Sequence, residues 1–480
     1  MTKKRIGKRR WILLIVAVLA IAASVVAVNF NPADIAASRQ QKNDELIAEQ
    51  MAYHIGTMAY LYGYPIVDMT RQMHNETHRV SSDQFVYAPV NRFYRYPDIV
   101  GPGTGGNLRA PNNDTLYYSG WFDVSDEPLI IHTPDTDGRY FTIAVTNLYA
   151  EVEHIGRRTT GTEDAYFALV GPSWRGHLPD GVKRISVESE QGWLLGRMLV
   201  EGSDDFEDAM ALVDAIWSAP LSEFKVDKRP SMPPEVTGDL MEPLSTLEFF
   251  KLLNSKLQNL PVRIGEEALM AQFDQIGLGR NANFNEASLS PAARRGLERA
   301  LADGEAIVQA ATQRTIPNYN GWMISKQIGR YGFSYMHRAS VARGGYGNLP
   351  EESLYPAMVF DANGDLLDGD QSYELHFPAG QMPPVEGFWS LSAYRLSDLQ
   401  LEANDIERFS IGDRTQGLSY NPDGSITLTL QHAAPADEAL NWLPVPAGKF
   451  MLVMRLYEPS AAALGDDYLL PKLRKSDSLP

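Results

Sequence analysis

Between Pro111 and Tyr118 the chain reads Pro-Asn-Asn-Asp-Thr-Leu-Tyr-Tyr. One short stretch therefore gathers a carboxylate, two amides, a hydroxyl and two phenols. Asx residues directly after proline favour tight turns, because their side chains hydrogen-bond the backbone. Such a set suits a polar organic or saccharide-like substrate, with Asp114 as general acid or base and Asn112, Thr115 and Tyr117 orienting the substrate. Downstream, Glu151, Glu153, His154, Arg157 and Arg158 supply charges of both signs, and Arg158 is the candidate for stabilising negative charge. A hydrogen-bonded turn that only braces a strand entrance would use the same residues, so both readings stay open. Two further blocks carry ligand-binding chemistry: Pro383 to Ser390 with Tyr394, and Asn441 to Pro446 followed by Arg455-Leu456-Tyr457. Trp389 and Arg455 would give a stacking floor with a hydrogen-bonding wall, or else a tryptophan-centred core with a buried arginine.

Other motifs point elsewhere than they first suggest. Gly101, Gly103 and Gly106 spell G-x-G-x-x-G, but Pro97, Pro102 and Pro111 deny it the strand and helix that a dinucleotide site requires. His74 and His78 stand four apart with Glu76 between them, whereas a zincin needs its glutamate directly after the first histidine. No nucleophile elbow and no P-loop is present. No metal and no cofactor is expected. The chain has no cysteine, which excludes disulfides, thiolate metal sites and a cysteine nucleophile. A net charge of −17 disfavours nucleic-acid binding. With 22 tyrosines and 18 phenylalanines, the chain is well supplied with rings for a ligand groove, although packing alone accounts for many of them.

These groups must be positioned by a particular order of elements. Lys3, Lys4, Arg5, Lys8, Arg9 and Arg10 precede an uncharged run from Trp11 to Val28. A basic flank before an apolar run of that length reads as a signal peptide or a membrane anchor, occupying residues 1–30. The rest is then expected in the periplasm or cell envelope, attached to the inner membrane through residues 11–28 if the run is retained. Residues 29–41 read as a polar linker. Ile47, Met51, Ile55, Met58 and Leu61 recur at helical spacing, with an interruption expected near Gly63-Tyr64-Pro65. Short strand-like runs split by turns follow, so residues 42–200 read as an N-terminal helix plus a β-sandwich. Ser245 with Glu248 and Ser290 with Pro291 mark helix starts in a helical region, 201–335. A second sandwich is expected over 336–460, with turns at Ala362-Asn363-Gly364 and Pro422-Asp423-Gly424, and a tail over 461–480. The fold class is α+β: two antiparallel, jelly-roll-like sandwiches joined by helices. Pro134 to Tyr149 and Pro446 to Tyr457 echo each other weakly, hinting at two sandwiches of similar build.

Tyr62-Gly63-Tyr64-Pro65, then Pro111 to Tyr117, then Gly156-Arg157-Arg158-Thr159-Thr160-Gly161 resemble the domain of unknown function 1254. Phe388-Trp389-Ser390, Asp423-Gly424-Ser425, Asn441-Trp442-Leu443-Pro444 and Arg455-Leu456-Tyr457 resemble its usual C-terminal companion, the domain of unknown function 1214. The resemblance implies a two-module bacterial envelope protein with sandwich-like domains, and no particular chemistry. It also marks Asn112, Asp114, Thr115 and Tyr117 as prominent. One departure is that the family pattern places an acidic residue after the tyrosine following Phe388-Trp389-Ser390, where this chain has Arg395.

Two functions remain. The first is an exported or membrane-tethered hydrolase or lyase with its site between the two modules. The second is a non-catalytic ligand-binding or envelope-assembly protein presenting aromatic faces. The first would take a small molecule or saccharide, the second would offer its faces to a ligand, a polymer or a partner, and a homo-oligomer is compatible with both.

Overall fold

The computed structural model describes residues 11, 15–18, 20, 32–80, 85–104, 108–312, 318–435, 441–465 and 467–476. Most of the expected leader, 11–28, lies outside them. Among the described residues no helix is long and apolar enough to cross a membrane.

The first helix, α1 (Pro32–Thr77), begins inside the expected linker and runs through Pro65 without a break. Its buried stripe is Ala52, Ala59, Tyr62, Ile66, Met69 and Met73, three, four or seven residues apart. Of the apolar positions read from sequence, Leu61 is buried and Ile55 packs against the core, whereas Ile47, Met51 and Met58 stay exposed, so the spacing marked the helix but only part of its buried face. Pro65 removes one helical hydrogen bond, and burial of the turns on either side of it keeps the helix whole.

The N-terminal module follows: β1 (Phe93–Arg95), β2 (Thr115–Asp123), β3 (Leu129–Thr133), β4 (Phe141–Asn147), β5 (Val152–Gly156), the short α2 (Arg157–Thr160), β6 (Ala165–Val170), β7 (Val182–Ser186), β8 (Gln191–Leu199), α3 (Phe206–Ala215) and β9 (Trp217–Pro220). Two sheets, ordered β1-β2-β8-β4-β5 and β7-β6-β3-β9, face each other. Leu116, Phe122, Phe141, Ile143, Leu129, Phe167 and Met198 fill the space between them.

Helices α4 (Thr246–Leu257), α5 (Glu267–Asp274), α6 (Pro291–Thr312) and α7 (Tyr335–Gly344) form a layer with α1. The Ser245–Glu248 capping box is present, and Ser290 accepts from the Ala293 amide. Gly296 lets α6 approach α1 closely, since a Cβ there would meet the Glu49 carbonyl oxygen at 2.4 Å.

The C-terminal module contains β10 (Asn318–Tyr319), β11 (Trp322–Met323), β12 (Ser353–Leu354), β13 (Ala357–Met358), β14 (Tyr373–Phe377), β15 (Trp389–Arg395), β16 (Ser410–Gly412), β17 (Ile426–Gln431), β18 (Asn441–Pro444), β19 (Phe450–Tyr457), α8 (Ala461–Leu464) and β20 (Leu473–Lys475). Its sheets are ordered β10-β11-β13-β19-β15-β16 and β18-β17-β14-β20, with β12 also on β19. The molecule is thus α+β, with two sandwiches and a helical layer.

The two modules share one topology. The segment β2-β8-β4-β5 matches β13-β19-β15-β16, and β7-β6-β3-β9 matches β18-β17-β14-β20. The β6–β7 and β17–β18 pairs are both parallel, while the other matched pairs are antiparallel. β12 and β13 act as one strand broken at Pro356, because both pair with β19 in a single register. The echo between Pro134–Tyr149 and Pro446–Tyr457 is not the true correspondence: it aligns β4 with β19, whereas β4 corresponds to β15 and β19 to β8.

Candidate functional site: a cleft between the modules

The register of β2 and β8 sets Tyr117 opposite Arg197, Ser119 opposite Leu195 and Trp121 opposite Trp193. Side chains alternate along a strand. Leu116, Tyr118, Phe122, Leu194 and Met198 therefore enter the sandwich core, and the Tyr117, Trp121, Trp193 and Arg197 set lies on the outer face. The helical layer covers the Trp121 end of that face, and the C-terminal module closes on the Tyr117 end. A cleft of about 1010 Å³ is left between them. Tyr64, Asp68 and Glu76 of α1, with Tyr346 bonded to Asp68, form one wall, Tyr117, Trp193 and Arg197 the floor, and Tyr355 and Arg455 the far side.

Glu76 Oε2 accepts from the Trp121 indole at 2.7 Å. Among the described residues no donor reaches its Oε1. Burial penalises the charged form and pushes this carboxyl up to about 7, against the opposing pull of the indole N–H. Asp68 is raised by burial too, opposed by hydrogen bonds from Tyr346 at 2.7 Å and Gln72 at 2.6 Å. A carboxyl near neutrality on the wall of an aromatic cleft can give or take a proton.

Of the residues singled out from sequence, Asn112, Tyr117 and Arg455 line this cleft. Asn112 Oδ1 accepts from the Asp114 and Thr115 amides and the Thr115 hydroxyl, each at 3.0 Å, and its amide donates to the Tyr117 hydroxyl at 2.7 Å. The expected Asx turn is therefore built. Arg455 donates to the Ala110 carbonyl and to Tyr394 Oη, and Tyr394 donates to the Pro111 carbonyl. Thr115 is wholly buried, and its hydroxyl bonds within the turn, away from the cleft. Trp389 packs in the core of the C-terminal sandwich. Arg395 pairs with Asp398 at 2.8 Å.

The expected Asp114–Arg158 pair is not formed. Asp114, 5% exposed, is paired with Arg414 at 3.0 Å and accepts from the Ser390 hydroxyl at 2.6 Å. Arg158 pairs with Glu352 at 2.9 Å, and the Tyr140 hydroxyl donates to the same carboxylate at 2.9 Å. Neither Asp114 nor Arg158 lines the cleft; both tie one module to the other.

These ties obey the duplicated topology. Gly156 lies opposite Thr142 and Gly412 opposite Ser390, so Arg158 corresponds to Arg414. Thr115 lies opposite Leu199 and Ser353 opposite Tyr457, so Asp114 corresponds to Glu352. The Arg158–Glu352 and Arg414–Asp114 ion pairs are therefore the same contact made in both directions, as in an isologous interface. The apolar centre of the seam repeats the arrangement, because Tyr140 and Leu199 from one module meet their counterparts Phe388 and Tyr457 from the other. Arg197 opposite Thr142 and Arg455 opposite Ser390 are likewise counterparts, as are Tyr117 and Tyr355.

With this geometry established, comparison with known families places residues 90–220 in the family described as Protein of unknown function (DUF1254), and residues 352–461 in that described as Protein of unknown function (DUF1214). This chain carries a DUF1254 domain followed by a DUF1214 domain. The crystal structure of the VPA0106 protein from Vibrio parahaemolyticus is similar, with a TM-score of 0.68 at 24% identity over 89% of this chain and all of that one. An uncharacterized protein from Burkholderia cenocepacia aligns over 92% of this chain and 97% of its own, with a TM-score of 0.42 at 12% identity. The first likeness shows the fold. No curated protein matches the chain.

The DUF1254 domain supplies the floor of the cleft and the DUF1214 domain its far side. Sequence reasoning missed Arg197, Trp193, Asp68 and the role of Glu76. The alternation Trp193, Leu195, Arg197 along one strand was the available signal for the floor. Glu76 was weighed only as part of the His74–His78 pattern. Those two rings stack at 4.3 Å; His74 bonds the Asp239 carbonyl, and His78 Nδ1 lies against the His74 carbonyl and the Thr77 hydroxyl.

Proposed function

We propose that this DUF1254–DUF1214 protein binds a polar organic or saccharide-like molecule in the inter-module cleft and acts on it by acid–base chemistry, as a hydrolase or lyase. The observation that carries this reading is the Glu76 carboxylate on a cleft wall facing a floor of Tyr117 and Trp193, with one oxygen open. Clefts between modules are common ligand sites, where aromatic faces stack on rings and a few polar groups set orientation. Glu76 takes the role first expected of Asp114, whose carboxylate is committed to Arg414. Asn112 and Tyr117 keep the substrate-orienting role.

The cellular setting is part of the proposal. The basic cluster ahead of the uncharged run Trp11 to Val28 supports export or tethering at the inner membrane, with the cleft working in the periplasm. A binding-only function draws support from the spent Asp114 and Arg158, which hold modules together instead of facing a ligand.

A thermal-shift screen of sugars, glycosides, esters and organic acids on the body of the protein tests the reading, followed by turnover assays on each hit. Glu76→Gln is expected to keep binding and to lower turnover by at least about 100-fold. Binding without turnover in the wild type would make it a binding protein, and the absence of any hit sensitive to Trp193→Ala would remove the cleft as a site.

A further inference from the structure

Arg197 and Arg455 occupy equivalent places in the two modules and reach the same cleft. They are 8% and 2% exposed. Their equivalence extends to a cross-strand tyrosine: Tyr117 lies opposite Arg197, and the register of β12 and β13 on β19 places Tyr355 opposite Arg455. The Arg197 guanidinium carbon stands 5.4 Å from the centre of the Tyr117 ring.

Buried guanidinium groups are ordinarily compensated by carboxylates. The seam follows that rule elsewhere, since Arg157, Arg158 and Arg414 pair with Glu458, Glu352 and Asp114. Among the described residues no ion pair includes Arg197 or Arg455. Arg455 spends its donors on Ser392, the Ala110 carbonyl and Tyr394. Arg197 gives one donor to Asn348 Oδ1 at 3.0 Å, and its Nε is buried with no acceptor. That Nε is sealed from the cleft, but a buried cation that lines a ligand-sized cleft without a carboxylate partner calls for an anion.

We infer that the cleft selects a small organic acid, whose anionic group sits against Arg197 and Arg455 while its body extends along the floor toward Trp193. Four residues of strand, roughly 13 Å, separate Arg197 from Trp193, enough for a ring or a sugar unit between the anchor and the tryptophan. The Tyr117 and Tyr355 hydroxyls flank the anchor. At the opposite end stand Asp68 and Glu76, so a molecule with its acid at the arginine end presents its uncharged part to Glu76. The inference rests on the cleft reading above and adds the charge of the ligand.

The test compares matched probes on the wild-type body of the protein: glucuronate with its methyl ester, and 4-hydroxyphenylacetate with its methyl ester, by calorimetric titration. An acid is expected to bind about 10- to 100-fold tighter than its ester, the range of one charged hydrogen-bonded contact. Arg197→Gln should erase that preference, and Arg197→Lys should retain part of it. If the variants fail to fold, the acid-to-ester ratio on the wild type still decides. Equal binding of acid and ester, lost on Trp193→Ala, would overturn the anion inference and leave the cleft standing. No binding by any probe would overturn both.

Discussion

Glu76 shows how a single environment can set a group's chemistry. Burial lifts its carboxyl from the usual 4.5 to about 7. Since the folded value is the higher, the folded state binds more protons than the unfolded chain between these pH values. Its contribution to stability is greatest below about pH 4.5, falls as pH rises toward 7, and levels off above that. Glu76→Gln removes the titration and keeps an oxygen for the Trp121 indole. Denaturant unfolding at pH 5 and pH 8 should therefore show the wild type losing on the order of 2 kcal/mol relative to this variant as pH rises. A stability difference that does not change with pH would show that the carboxyl titrates normally. The residues read from sequence divide along the same line of environment. Asn112, Tyr117 and Arg455 reached the cleft, whereas Asp114 and Arg158 did not. Type and spacing say what a side chain can do, but its partner across 200 or 300 residues decides what remains free to do it. Asp114 is engaged by Arg414 and Arg158 by Glu352, and neither partner was foreseeable from the local motif.

At the scale of elements, the turns and caps were the most legible features because their causes are local. The Ser245–Glu248 box, the Ser290 cap and the turn closed by the Gly424 amide on the Asn421 carbonyl at 2.9 Å all formed as their residues required. The buried face of α1 was less legible, since Ala52, Ala59 and Tyr62 take core positions that the exposed Met51 and Met58 were expected to hold, while Leu61 and Ile55 do reach the core. The duplication was hidden for another reason. Its sequence traces are Asp114-Thr115-Leu116-Tyr117 against Glu352-Ser353-Leu354-Tyr355, and Ile155-Gly156-Arg157-Arg158-Thr159 against Ile411-Gly412-Asp413-Arg414-Thr415. Loops of unequal length put these pairs at different offsets, so no fixed period reveals them. The floor strands also carry a steric requirement. A Cβ at Gly196 would lie 1.9 Å from the buried Tyr118 ring, which has no room to retreat within the sandwich core. Gly196→Ala should cost about 2–3 kcal/mol or more, read as a lower denaturant midpoint at unchanged slope. A midpoint equal to the wild type would mean that β2 and β8 can separate locally at little cost.

At the scale of the whole molecule, the seam that joins the modules also shapes the cleft. Its two reciprocal ion pairs have carboxylates whose side chains are 2% and 4% exposed, beneath arginines 29% and 22% exposed. Breaking such a pair from the arginine side leaves a buried carboxylate uncompensated, at about 3 kcal/mol for each. Between the pairs, Tyr140 and Leu199 interlock with Phe388 and Tyr457, so neither module can unfold without exposing apolar surface on the other. The full body should therefore melt in one calorimetric transition despite its two sandwiches. Combining Arg158→Gln with Arg414→Gln should lower that transition and broaden it, because part of the energy linking the modules is removed while the apolar centre, the Arg157–Glu458 pair and each sandwich core stay in place. The single variants should fall between, with similar effects, since they break equivalent contacts. Two transitions already present in the wild type would show that the seam is weak. The cleft would then lack a fixed far side, since Tyr355 and Arg455 face Tyr117 and Arg197 only while the seam is shut.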